Sequence, residues 1–228
     1  MTTFDDKPIL AIDTATSQLR LALQFGGDRT VTIDETVGTS HGQVLVRKVE
    51  DLLASSGLET YQLEALVVCT GPGSFTGLRI GLAAAKGIAV ALDLPLVGVS
   101  LFEIAAQKLR AAAGRVAVVI PFKRGELYLG WVADGRHENA DVLAVPVPKL
   151  LETLGRAGAT GLGLDLAQVL PDHDPQGIPG EITYTGPDLL RLGLDKLNRG
   201  EIPDLNLLEP LYVTRSTAEI RYDQRRKG

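Results

Sequence analysis

The sequence is short of most groups that do covalent chemistry: one cysteine, one methionine, one tryptophan and three histidines in 228 residues, with aromatics at 5%. A lone cysteine, Cys69, excludes an intrachain disulfide and a cysteine-based zinc cluster. His41, His137 and His173 stand far apart, without the paired spacing of metal ligands, so no metal site is expected. Basic residues do not outnumber acidic ones: 23 Lys and Arg face 28 Asp and Glu, for a net charge of −5. That balance speaks against a stand-alone nucleic-acid binder, which needs a basic face to displace phosphate counterions. The start, Met1 to Asp6, is neither basic nor long and apolar, so no secretory signal is expected. The most apolar window, Gly77 to Leu92, is broken by Arg79 and Lys86 and is short for a bilayer. A membrane association is therefore not expected, and a cytoplasmic setting is. The 25 glycines and 12 prolines fall at junctions without a period, which excludes collagen-like and linker sequences.

What is present is a globular composition, 45% apolar and 22% charged, sized for one large domain or two small ones. Residues 7–13 and 19–25 read as strands joined by a short polar turn, Thr14 to Gln18. A third strand is expected over Thr30–Glu35, rich in β-branched residues. From His41 to Ser56 the period becomes helical, with Val44, Leu45, Val49, Leu52 and Leu53 on one stripe. Glu64–Thr70 is a buried strand, about Thr76 to Leu92 a long helix and Pro95–Val99 a strand. Ser100 and Glu103 then form a capping box at the start of a helix reaching about Ala112. The order is βββαβαβα. Beyond it, Arg115–Ile120 and Glu126–Val132 read as paired strands, Lys149–Arg156 as a helix, and Thr160–Leu164 as a weak strand. Pro171–Gly180 reads as a loop and Pro187–Asn198 as a helix. The expected division is 1–112, then 113–215 as a smaller degenerate second copy, then a basic tail over 216–228.

Two stretches invite a chemical reading. Gly71-Pro72-Gly73-Ser74-Phe75-Thr76-Gly77-Leu78-Arg79 joins a buried strand to a helix. Such a loop either cradles an anion on free N–H groups or makes a tight turn that allows close packing. It lacks the Gly-Lys-Ser/Thr ending of a P-loop. Asp13-Thr14-Ala15-Thr16 ends the first strand, where actin-like phosphotransferases place an acidic residue on a metal-bound water; it is equally an ordinary polar turn. Asp13, Thr14, Gly73, Ser74 and Thr76 are the candidate phosphate or nucleotide contacts. Gly77, Gly81 and Ala85 recur every four residues and make a smooth helix strip for close contact, internal or with a partner. Because the helix is apolar on so many sides, a partner interface is expected over His41, Val44, Leu45, Gly77, Arg79, Gly81 and Ala85. Ser74 lacks the Gly-x-Ser-x-Gly frame, and Cys69 ends an apolar strand as core cysteines do, so no catalytic residue is expected.

These stretches resemble the bacterial TsaB family, formerly YeaZ. The likeness rests on Ile9 to Thr16, His41, above all Gly71 to Leu82, then Ala85-Lys86-Gly87 and Pro95 to Ser100. It covers about the first 110 residues and thins to Glu126-Leu127-Tyr128 and Pro210 to Val213. The resemblance implies a duplicated actin-like (ASKHA) α/β fold. It also implies a dimerization subunit that binds the catalytic paralogue TsaD in making N6-threonylcarbamoyladenosine at position 37 of tRNA. TsaE, an ATPase, joins that complex, and tRNA is met through it. A homodimer in isolation stays open, as does ATP or ADP at or near the partner interface, with no cofactor held by the chain alone. Two departures are Pro121-Phe122-Lys123, where the family often has Asp-Ala-Arg, and His41-Gly42, where it has His-Ser. The alternatives are a stand-alone ATP-dependent phosphotransferase of the same fold and a glycoprotease-like hydrolase.

Overall fold

In the computed structural model, residues 3–110, 114–123, 125–134, 136–156, 161–164 and 181–211 are described. The apolar run Ile9–Asp13 (β1) has no polar face, and the fold buries all of it at the centre of a five-stranded sheet. β2 (Gln18–Phe25) and β3 (Arg29–Thr36) follow antiparallel, while β4 (Ala65–Gly71) and β5 (Leu96–Ser100) run parallel to β1 on its other side. The sheet order is β3-β2-β1-β4-β5. With α1 (His41–Ser55), α2 (Phe75–Leu92) and α3 (Leu101–Lys108), the expected βββαβαβα order is the one found. The Ser100–Glu103 capping box is also there, but α3 ends at Lys108, earlier than its sequence suggests.

Strand alternation sends Leu10, Ile12, Leu66 and Val68 to one face, under α1 and α2, and Ile9, Ala11, Ala65 and Val67 to the other. That second face is covered by α5 (Gly186–Arg199), which comes from far along the chain. Two glycines let α5 lie close. A Cβ at Gly193 would run into Val67, and one at Gly186 would sit 3.0 Å from the Ala22 Cβ. A cut near residue 112 thus separates the two sheets but not what covers them: α5, Tyr184 and Leu208 pack into the first sheet's cores. The expected loop over 171–180 and the tail over 216–228 lie outside the described residues.

The second sheet carries β6 (Arg115–Lys123), β7 (Glu126–Ala133), β8 (Arg136–Pro146), β9 (Gly161–Leu164) and β10 (Glu181–Ile182) in the order β10-β9-β6-β7-β8. β7 pairs antiparallel with β6 and with β8, while β9 lies parallel to β6 and to β10. Read from β8, the order is third, second, first, fourth, fifth, which is that of the first sheet. The duplication expected from the sequence is therefore present in the topology. β8 and β10 escape a reading of the sequence: Arg136 to Asp141 is polar at almost every position, and β10 has only two residues. A short helix, α4 (Leu150–Arg156), packs Leu150 and Leu154 against Ala117, Val119, Leu129 and Trp131.

α3 is the seam between the sheets. Phe102 is fully buried; its ring stacks on His137 with centroids 4.4 Å apart, and a Cβ at Gly130 would strike it. Ion pairs Lys108–Asp188 at 2.8 Å and Lys196–Glu103 at 2.6 Å tie α3 to α5. At Asp188 burial works to raise the carboxyl pKa. Hydrogen bonding to Lys108 and to the Thr185 backbone overcomes this and holds it below the usual carboxylate range. A carboxyl with a depressed folded-state pKa stabilises the fold above its unfolded value and loses that contribution as pH falls through the folded value. Thermal melts should therefore lose stability as pH drops below about 4, and Lys108→Met should shrink that acid-dependent loss.

Candidate functional site

β1 ends on Asp13, whose side chain is fully buried. An isolated buried carboxylate costs several kcal/mol, so its partners decide what it can do. Oδ1 accepts the Ala15 N–H at 2.8 Å and Oδ2 accepts the Tyr184 hydroxyl at 2.7 Å. Arg20 on β2, itself 3% exposed, places Nη1 3.9 Å from Oδ2. The same nitrogen donates to the Tyr184 oxygen at 2.9 Å and to Thr16 Oγ1 at 3.2 Å. The Arg20 Nε faces Asp34 at 3.4 Å, and its guanidinium lies 4.1 Å over the Tyr184 ring. Arg20 is thus held between two carboxylates and a tyrosine. Neither it nor Tyr184 stands out in the sequence; the signal available was an arginine between two leucines of a strand.

Against this turn lies the glycine-rich loop. The Ser74 N–H donates to Ala15 O at 2.7 Å, and Thr14 Oγ1 donates to Gly77 O at 2.7 Å. A Cβ at Gly73 would strike the Ala15 carbonyl, one at Gly77 the Thr14 carbonyl, and one at Gly81 the Thr14 hydroxyl. Ser74 caps α2 by accepting the Gly77 N–H at 3.2 Å. Turn and loop therefore fill each other. The structure does bring Asp13, Thr14, Gly73 and Ser74 together, but as mutual partners. N–H groups that a phosphate would need at residues 74 and 77 are spent within the chain, and Thr76 is exposed on the outside. In this structure the cluster is a packing joint between turn and loop. Cys69 belongs to the same joint: burial first, then the neighbouring Asp13, pushes its thiol well up, which makes it a protonated core side chain.

The residues expected at a partner interface take different positions on the two helices. Gly77, Gly81 and Ala85 face inward, where the missing side chains admit the β1–β2 turn. Leu45 is core, and His41 is buried with Nε2 3.3 Å from Gln18 O. Val44 is half-buried; Arg79 is exposed, its guanidinium 3.8 Å over the Phe75 ring. The outward face consists of other residues: Val46 at 63% and Val90 at 70% exposure, with exposed Ala83, Gly87 and Ala91 and half-buried Ile80, Ala84 and Ile88. Ala83, Gly87 and Ala91 also recur every four residues, two positions out of step with the inner strip, and this second register went unread in the sequence. A Cβ at Gly87 would meet nothing within 4 Å, so the fold itself does not require glycine there. By length and composition α2 is apolar enough to span a membrane, at 18 residues and a mean hydropathy of 1.5. Here one side lies on the sheet and the other is uncovered.

A polar cleft of about 1070 Å³ opens between α3, α5 and residues 207–211. Four of its charged side chains pair with one another, Lys196 with Glu103 and Arg199 with Glu201, at 2.6 Å each. The two registers of α2 predict opposite outcomes in thermal melts of the isolated chain. Gly81→Leu should lower stability by the ~1–3 kcal/mol typical of overpacking. Gly87→Ala should raise it by about 0.5–1 kcal/mol, the helix-propensity difference at an open position.

Comparison with known proteins agrees with this architecture. The sequence profile of the TsaD family, tRNA N6-adenosine threonylcarbamoyltransferase, matches residues 13–169. The tRNA threonylcarbamoyladenosine biosynthesis protein TsaB of Escherichia coli K12 is 40% identical over 228 aligned positions, covering 92% of this chain and 96% of that one. The Haemophilus influenzae TsaB protein is 36% identical over 127 residues, about half of each chain. Among solved structures, YeaZ from Pseudomonas aeruginosa superposes with a TM-score of 0.70 at 28% identity, covering 90% of this chain and 99% of the other. The duplicated α/β fold is thus the actin-like fold of these proteins, and the chain belongs to the TsaB (YeaZ) family of tRNA threonylcarbamoyladenosine biosynthesis proteins.

Proposed function

We propose that the chain is a non-catalytic scaffold subunit, and that the outer face of α1 and α2 docks a catalytic paralogue of the TsaD family during threonylcarbamoyl transfer to tRNA adenosine. The uncovered apolar residues of the two helices carry this reading: Val46 on α1 and Val90 on α2 are each more than 60% exposed, and α2 adds a second small-residue register. Contiguous apolar surface of this kind is what association buries, and glycine or alanine every four residues lets a partner helix approach closely. Both helices also carry charge: Arg79 and Lys86 on α2, and on α1 Arg47, which pairs with Asp51 at 4.0 Å. In the absence of the paralogue the same face pairs with a second copy of the chain. TsaE and tRNA are met through the assembled complex, and ATP or ADP is bound with the partner.

The phosphotransferase alternative requires the Asp13 carboxylate to reach a metal-bound water, yet both of its oxygens accept hydrogen bonds from within the chain. A hydrolase would need a free nucleophile, while the Ser74 hydroxyl accepts the cap hydrogen bond and the Cys69 thiol is buried with a raised pKa. Two measurements test the reading. Gly87→Leu and Val90→Asp should weaken binding to the TsaD-family paralogue of the same genome at least tenfold while the isolated chain still folds. The isolated chain should hydrolyse ATP no faster than background; turnover abolished by Asp13→Ala would favour the phosphotransferase instead.

A further inference from the structure

We infer that Tyr184 is a positioning residue for the docking face: through Asp13 and the β1–β2 turn, it sets the seat of the first turn of α2. This rests on the docking reading above for its functional consequence, but its structural part stands alone. Tyr184 lies between β10 and α5, 171 residues from Asp13 in sequence, and its hydroxyl donates the short hydrogen bond to Asp13 Oδ2. The other oxygen of that carboxylate holds the Ala15 N–H, and the Ala15 carbonyl in turn takes the Ser74 N–H, at the N-cap of α2. Beside it, Thr14 Oγ1 donates to Gly77 O on the first turn of the helix. Every link is between 2.7 and 2.8 Å. The glycines at 73, 77 and 81 leave no slack, since each presses backbone or hydroxyl of the turn where a Cβ would be. A shift of the turn therefore moves α2.

Arg20 supplies the alternative that makes the position of the turn depend on Tyr184. Its Nη1 stands 3.9 Å from Asp13 Oδ2, beyond hydrogen-bond length, because it is drawn to the Tyr184 oxygen at 2.9 Å. Without the hydroxyl, Asp13 and Arg20 close on each other. The carboxylate then rotates toward Arg20, and Oδ1 leaves the Ala15 N–H. The turn loosens, and the N-terminus of α2 loosens with it.

Hydrogen–deuterium exchange on the free full-length chain reads the structural part. Tyr184→Phe should speed amide exchange about tenfold over residues 13–17 and 74–79, with residues 45–53 of α1 unchanged. Thr14→Val, which removes only the bond to Gly77 O, should reproduce the change over 74–79. Leu189→Ala, a core change on α5 that removes none of these hydrogen bonds, is the control for general loss of stability. Paralogue binding reads the consequence: Tyr184→Phe should weaken it about tenfold and Leu189→Ala should not. Unchanged exchange in Tyr184→Phe, or the same exchange pattern in Leu189→Ala, overturns the positioning role. Faster exchange in Tyr184→Phe with unchanged paralogue affinity also overturns it when Gly87→Leu does weaken binding. If Gly87→Leu leaves binding intact, the docking reading is what fails, and the exchange data still decide the seat of α2.

Discussion

The fold turns on a buried carboxylate that is fully engaged. Asp13 ends the central strand of the first sheet, and its two oxygens take one backbone N–H and one hydroxyl that comes from 171 residues away. An anion at this depth persists only with such partners and a nearby cation, which Arg20 provides. Those same partners dictate the rest. The Ala15 bond curls the turn, the curled turn offers its carbonyls and the Thr14 hydroxyl to α2, and the Tyr184 bond pulls the start of α5 onto the sheet. With α5 in place, the second face of the sheet is covered and α3 is held by two ion pairs.

The inward and outward registers of α2 follow from this joint. A helix that must sit against a backbone turn needs glycine where it touches, and Gly77 and Gly81 meet that need at the cost of helix propensity. Gly87 has no such reason within the chain. Of the three glycines on this helix, two are thus required by the fold and the third is not. The exposed valines at 46 and 90 fall on the outward side. A rigidly seated helix is also better prepared for association, because fewer degrees of freedom remain to be frozen on binding.

Much of this was legible in the sequence, and the reasons for success and failure are physical. Strands such as Ile9–Asp13 and Ala65–Gly71 are buried on both sides, so their composition alone identifies them. The helical stripe of α1 and the Ser100–Glu103 box are local patterns and were read as such. The duplication became certain only from strand order, since β8 begins in polar residues and β10 is two residues long. The strip Gly77–Gly81–Ala85 was read as a close-contact surface, internal or with a partner, and it lies on the internal side. Spacing fixes which residues share a helix face; it does not say what that face meets. Tyr184 was invisible for the same reason, because its meaning lies in a contact across most of the chain.

A domain arrangement with a deep cleft between duplicated halves suits an enzyme that opens and closes on a substrate. This chain keeps the duplicated sheets and fastens them. Phe102 is wedged between the His137 ring and Gly130 of the second sheet, α5 is pinned to α3 at both ends, and the turn that ends β1 is filled by the loop before α2. Hinge motion would have to break a buried aromatic stack and two ion pairs together, while leaving Asp13 without its tyrosine. Of these contacts, the joint of turn and loop is the one that seats the first turn of α2 on the sheet. On the docking reading proposed above, a fold fastened in this way is a firm support for an apolar surface, and rigidity lowers the cost of association.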